Sequence, residues 1–323
     1  MTRKLRLIFL PGTVSHMNMM REVARHMESW AECAYAPFFA DGLMGRLVGS
    51  AGKPKGLLAW NHAVAVQKAI QDGGLTEDMG VAGDYDLSIV ATDLTLPKKL
   101  RRWPLLLLQE GMTDPETWTF KLVRKLSLPR WMASTAALGL SQAYERFCVA
   151  SDGYRDLFIR KGVPGDKLVV TGLPAYDDIA RFRDNDFPLR GYIMAATSDA
   201  RETFKPDDRR AFIHRVRRIA DGRPILFKLH PNEKADRARR EIERLAPEAM
   251  VFQRGPIGPM IANCEALVTQ YSTVVFIGLV LGKECHSYFD IEELKRLMPI
   301  QNGGRSAARI AEVCRGIVAG RTH

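Results

Sequence analysis

The chain has 323 residues, 46% hydrophobic and 26% charged, with 47 Lys and Arg against 37 Asp and Glu and a formal net charge of +10. Its length predicts two domains, and its composition excludes a disordered or fibrous chain. No apolar run reaches the roughly 18 residues needed to span a bilayer. The positive balance favours acidic partners, nucleotides or anionic lipid, and no nucleic-acid-binding module is recognisable. The opening MTRKLRLIFLPG turns at Pro11-Gly12 without a small-residue cleavage site, so it reads as a first strand and not a signal peptide. The five cysteines, Cys33, Cys148, Cys264, Cys285 and Cys314, form no CxxC pair. They read as small hydrophobes in a reducing, cytoplasmic compartment.

Apolar runs of strand length alternate with helical patterns, which predicts βαβ units and parallel sheets. Strands are expected at 5–10, 33–39, 86–92, 104–109, 146–151 and 167–172, with helices over 17–30, 57–72, 135–147 and 153–162. Residues 173–190, rich in Pro and Asp, read as a crossing between domains, with Asp177-Asp178 as a surface pair. A second half follows. Its strands are expected at 191–197, 224–230, 250–253, 266–272 and 285–289, and its helices at 206–220, 237–246, 256–264 and 274–282. The expected organisation is a first domain over 1–172, the crossing at 173–190, a second domain over 191–304, and a final 305–323 helix packing back towards the first. The fold class is α/β, two Rossmann-like doubly wound domains facing a central cleft.

Ligands in open α/β sheets bind beyond the carboxyl ends of strands. ILFKLHPNE, 225–233, ends an apolar strand on Lys228 and His230, and Pro231 stiffens the corner. In LLLLQEG, 105–111, Glu110 ends a very apolar strand and Gly111 permits a tight turn. Desolvation there is expected to raise the Glu110 pKa towards that of a general base. In TQYSTVV, 269–275, Ser272 and Thr273 sit at a strand-to-helix turn suited to phosphate. Gly12, Thr13, Ser15 and His16 follow the first strand, and Thr197, Ser198 and Arg201 follow the first strand of the second half. No carboxylate pair marks a metal site, so neither metal nor cofactor is expected. Two basic segments carry tryptophan, 97–104 with Trp103 and 121–132 with Trp131, and mark a candidate contact with an anionic membrane surface. The basic stretches 209–218 and 237–244 read as solvated helix faces.

The ordered set QEG, KLHP and YST resembles the acid-glycine, HP and paired-hydroxyl motifs of bacterial sialyltransferases and related capsule transferases of the two-Rossmann GT-B fold. The stretches 147–179 and 271–285 look like UDP-N-acetylglucosamine 2-epimerases and CDP-glycerol transferases. The resemblance implies an enzyme of nucleotide-activated sugars. It implies Glu110 as base on the acceptor hydroxyl, His230 acting on the leaving phosphate, and Ser272 and Thr273 holding that phosphate. Two departures stand out. Val275 to Gly278 lacks the acid that commonly holds the ribose. The epimerases' second-half His-Arg-Arg-Glu motif is reduced here to Arg201 and Glu202.

The function expected from the sequence is a metal-independent inverting glycosyltransferase of cell-surface polysaccharide or glycolipid assembly. It takes a nucleotide-sugar donor and a glycan or glycolipid acceptor, and is placed in the cytoplasm or at the membrane's inner face. The alternatives are a UDP-N-acetylglucosamine 2-epimerase-like enzyme and a catalytically idle nucleotide-sugar-binding scaffold.

Overall fold

The structure, a computed structural model, describes residues 3–37, 58–202 and 207–320, with only the backbone of 58–62. The end of the strand expected over 33–39, the first residues of the helices expected over 57–72 and 206–220, and the last three residues of the chain lie outside the described residues. The chain forms two compact units, 1–177 with 300–323, and 178–299.

The first unit is built on a six-stranded parallel sheet. Its strands are β1 (Leu5–Leu10), β2 (Ala31–Tyr35), β3 (Leu87–Val90), β4 (Leu105–Leu108), β5 (Arg146–Val149) and β6 (Leu168–Val170), in the order β2-β1-β3-β4-β5-β6. The order reverses direction between β1 and β3. The four leucines of β4 are all buried, as strands covered on both faces require. Helix α1 (Val14–Arg25) starts on Thr13, whose hydroxyl accepts the His16 N–H at 3.1 Å, a standard N-cap. Its Met17, Met20 and Val23 enter one core with Leu7, Phe9 and Ile89. Helices α2 (Leu58–Asp72), α3 (Trp118–Lys125), α4 (Asp152–Lys161) and α10 (Ser306–Ala319) complete the unit. Although last in the chain, α10 supplies Ala307, Ile310, Ala311 and Cys314 to that same core.

The second unit holds β7 (Ile193–Ala196), β8 (Ile225–Lys228), β9 (Met250–Phe252), β10 (Ala266–Thr269) and β11 (Glu284–His286), all parallel, in the order β11-β10-β7-β8-β9. Its direction reverses between β7 and β10. Helices α5 (Arg209–Ala220), α6 (Ala235–Leu245), α7 (Ile257–Asn263), α8 (Val275–Val280) and α9 (Ile291–Leu297) connect and flank these strands. Two parallel sheets with interleaved helices make the chain an α/β protein of two Rossmann-like units.

Several local expectations are corrected. The helix expected over 135–147 is absent: a 3-10 segment, Arg130–Ala137, gives way to turns before β5. Gly139 adopts φ +84° and Gln142 φ +53°. The buried Asp93 carboxylate accepts the N–H groups of Gly139 and Ser141, both at 2.9 Å, drawing the backbone away from a helix. Asp177 is not a surface residue: it is buried and accepts the Ser306 N–H at 2.7 Å, capping the start of α10. Arg209 is buried too, so 209–218 is not a wholly solvated face. The last expected strand, 285–289, is confined to Glu284–His286.

Candidate functional site

In the first unit, the residues singled out after β1 and β4 meet one another. His16 Nε2 lies 2.5 Å from Glu110 Oε2. The Gly12 backbone N–H donates to His16 Nδ1 at 3.1 Å. That bond makes Nδ1 an acceptor, so the neutral ring carries its proton on Nε2 and donates it to Glu110. The imidazole is thus held at both nitrogens. Its side chain is 9% exposed, whereas that of Glu110 is 41% exposed and reaches solvent.

The Glu110 pKa departs from the sequence expectation. Burial pushes it up, but His16, by charge and hydrogen bond, and the Ser15 and Thr13 hydroxyls outweigh burial and hold the carboxyl below its ordinary value. A desolvated carboxyl rises only when its charge is uncompensated, and here three side chains compensate it. Next to Glu110, the Gln109 side chain donates to the Gly111 carbonyl at 2.8 Å and accepts the Ala150 N–H at 2.9 Å. It locks the turn that presents the acid.

In the second unit, Thr197 and Ser198 follow β7, and Gln270 to Thr273 follow β10, at the point where strand order reverses. Ser198 Oγ donates to Gln270 Oε1 at 2.9 Å, tying the two strand ends together. The buried Thr197 hydroxyl accepts the His230 N–H at 3.0 Å and donates to Glu233 Oε2 at 2.6 Å. The His230 ring is a third exposed, accepts the Asn232 N–H on Nδ1 at 3.2 Å, and stands 3.7 Å from Asp199. Its neutral form therefore also carries the proton on Nε2.

Not every candidate has a side chain available to a ligand. Arg201 forms a bidentate pair with Glu241, both bonds at 2.8 Å, and approaches Asp207 at 3.1 Å and Glu233 at 3.6 Å. Lys228 is buried, and its ammonium donates to the Leu229 and Gln253 carbonyls at 2.9 and 3.2 Å. Burial pulls its pKa down. Ser272 and Thr273 are half-buried, one turn ahead of α8. That helix begins at Val275 with Val274 as N-cap, so Ser272 and Thr273 lie in the turn that leads from β10 into it.

Sequence reasoning missed the charge cluster under His230. Glu233 is fully buried and pairs with Arg209 at 2.6 Å, while Asp207 stands 3.5 Å from Arg209. Glu233 ends the ILFKLHPNE segment, and its buried role is not evident from the sequence. The signal was an acid three residues after a strand-end histidine, where a surface residue would gain nothing from a fixed position. Among the described residues, no group of three or more His, Cys, Asp or Glu side chains is spaced to hold a metal ion.

With both strand-end clusters in place, the fold can be set beside known proteins. The chain shares the GT-B fold of two Rossmann-like units found in enzymes of nucleotide sugars. A UDP-GlcNAc 2-epimerase from Neisseria meningitidis, bound to UDP-GlcNAc, superposes with TM-score 0.58 at 12% identity, over 97% of this chain and 100% of that one. The S. aureus MnaA–UDP structure gives 0.61 at 10% identity, over 98% and 97%. The wall teichoic acid polymerase TagF gives 0.51 at 10% identity, over 98% and 90%. No protein-family model matches the chain. No curated protein matches it by sequence.

Proposed function

We propose that the chain is a glycosyltransferase that uses a nucleotide-activated sugar and inverts the anomeric centre. The observation that carries this reading is the His16–Glu110 pair. A carboxylate kept ionised and fixed at a strand's carboxyl end is suited to accept a proton from a hydroxyl. Proteins of the same fold bound to UDP-GlcNAc and to UDP support a nucleotide-sugar donor.

In this reading Glu110 takes the proton of the acceptor hydroxyl as its oxygen bonds to the anomeric carbon. The bond from that carbon to the diphosphate oxygen breaks, and the electron pair leaves with the phosphate. His230, with a proton on Nε2, donates a hydrogen bond to that departing oxygen. Ser272 and Thr273 are assigned to the donor phosphates, with Thr197 holding the His230 turn and Ser198 closing the β7–β10 end. His16 positions Glu110 and does not itself touch substrate. Arg201 and Lys228 are assigned structural roles, because carboxylates and carbonyls already hold them. The acceptor is a glycan or glycolipid of cell-surface polysaccharide assembly.

A panel of nucleotide sugars, scored by thermal shift and then by product analysis with and without acceptor, tests this reading. A donor present at 100 times its Kd adds about 2.7 kcal/mol of stability. Transfer to an added acceptor is expected. Interconversion of the donor sugar without acceptor would replace the reading by epimerisation. Binding without turnover of either kind would leave a nucleotide-sugar scaffold.

A further inference from the structure

The two tryptophan-containing basic segments have opposite fates. In 97–104, Trp103 is only 8% exposed, its indole N–H donates to Asp84 at 2.9 Å, and its ring meets Tyr85 edge-on. It belongs to the first unit's interior. Around α3 the reverse holds. Phe120 and Val123, three residues apart, turn inward with Ala133, Ala136 and Ala137. Trp118 and Leu122, with Leu126 at the end of the helix, follow at intervals of four along another face. Trp118 is 73% exposed, Leu122 41% and Leu126 57%. Trp131 and Met132 of the adjoining 3-10 segment are also exposed. The helix thus has two apolar faces, and only one is covered by the unit's own core.

Charge indicates what covers the other. From 117 to 144 the sequence has no Asp or Glu. Lys121, Arg124 and Lys125 on α3 are all exposed. Lys121 and Lys125 flank the Trp118–Leu122 stripe. Arg124 and Arg130 also line a cavity of about 250 Å³ beside Phe120 and Val123. A soluble partner helix would need only the apolar stripe. A rim of cations around tryptophan and leucine matches an anionic bilayer surface, where indoles sit at headgroup depth and lysines meet the lipid phosphates.

We infer that α3 and residues 126–132 dock the first unit onto an anionic membrane, with Trp118, Leu122 and Trp131 inserted at the headgroup boundary and Lys121, Arg124 and Lys125 on lipid phosphates. The surface stands independently of the chemistry proposed above.

The full-length chain should sediment with vesicles of phosphatidylcholine and phosphatidylglycerol, and much less with phosphatidylcholine alone. Replacing Lys121, Arg124 and Lys125 together by Gln should lower partitioning on the order of a hundredfold at low salt. Replacing Trp118 and Leu122 by Ser should weaken binding at high salt as well, where screening has removed the ionic part. All substituted positions are exposed, so urea unfolding curves of both variants should match the parent. Equal binding to neutral and anionic vesicles overturns the inference, as does parent-like binding by the Ser variant. So would a parent dimer that the Ser variant converts to monomer without any vesicle binding, which would mark the surface as an interface between two copies.

Discussion

His16 and Glu110, 94 positions apart in the chain, stand 2.5 Å from each other, and Gly12 fixes the far nitrogen of the same imidazole. An acid held in this way is ionised at neutral pH and pointed in one direction. Its folded pKa lies below its unfolded value, so the pairing stabilises the fold above the ordinary carboxylate pKa. That stability is lost as pH falls through the depressed value.

Glu110→Gln should therefore destabilise the protein near pH 7 by about 1 kcal/mol, a figure reduced for solvent screening of a side chain this exposed. The gap between variant and parent in urea unfolding should close on acidification below about pH 4. If Glu110 is the base, the same variant loses about 10²- to 10⁴-fold in kcat. His16→Ala should cost less in kcat, and should shift the acid limb of the pH profile upward by removing the group that lowers the Glu110 pKa. An unchanged acid limb in His16→Ala would dismiss the positioning role.

The Thr197 hydroxyl joins the His230 backbone to Glu233, so its loss strips a buried carboxylate of a donor. Thr197→Val should destabilise by about 1–3 kcal/mol, while Thr197→Ser should retain most of the stability. Because the hydroxyl also sets the His230 turn, Val should lower kcat more than it changes KM, and Ser should restore it. Chemical denaturation beside steady-state kinetics separates these outcomes. Parent-like stability in Val would show that the network does not depend on this hydroxyl.

Gly172 has φ +84°, and a Cβ there would stand 2.2 Å from the Ser306 hydroxyl. Gly172→Ala should cost about 1–3 kcal/mol through backbone strain, together with the clash. Adding Ser306→Gly should recover only the clash, because the left-handed backbone remains. Full recovery in the double variant, measured by urea denaturation, would contradict a strain contribution.

What could be read from the sequence depended on how local its cause was. The leucines of β4 and the apolar run of β8 announce buried strands, because each run alone must leave water. Glu110 is legible as a strand-end acid and His16 as a residue shortly after the first strand, but their pairing is not, since only tertiary structure brings positions 16 and 110 together. The false helix over 135–147 had acceptable helical composition. What overrides it is Asp93, more than forty residues upstream, together with backbone turns that a pattern cannot show. The direction of the Glu110 pKa is hidden for the same reason: burial is written in the neighbouring leucines, whereas the compensating donors come from another segment. Trp103 and Trp131 likewise lie in similar basic surroundings, and a distant Asp84 decides that the first turns inward.

The placement of α10 has a consequence for synthesis on the ribosome. The core shared by β1, α1 and β3 is completed by Ala307, Ile310, Ala311 and Cys314, which emerge after the whole second unit. At about 5–20 residues per second, the first unit's sheet waits roughly ten seconds or more with one flank uncovered. By the end of that interval the second unit has all of its strands and can close. The order of folding therefore runs opposite to the order of the sequence: the inserted unit closes first, and the last helix seals the unit that began the chain.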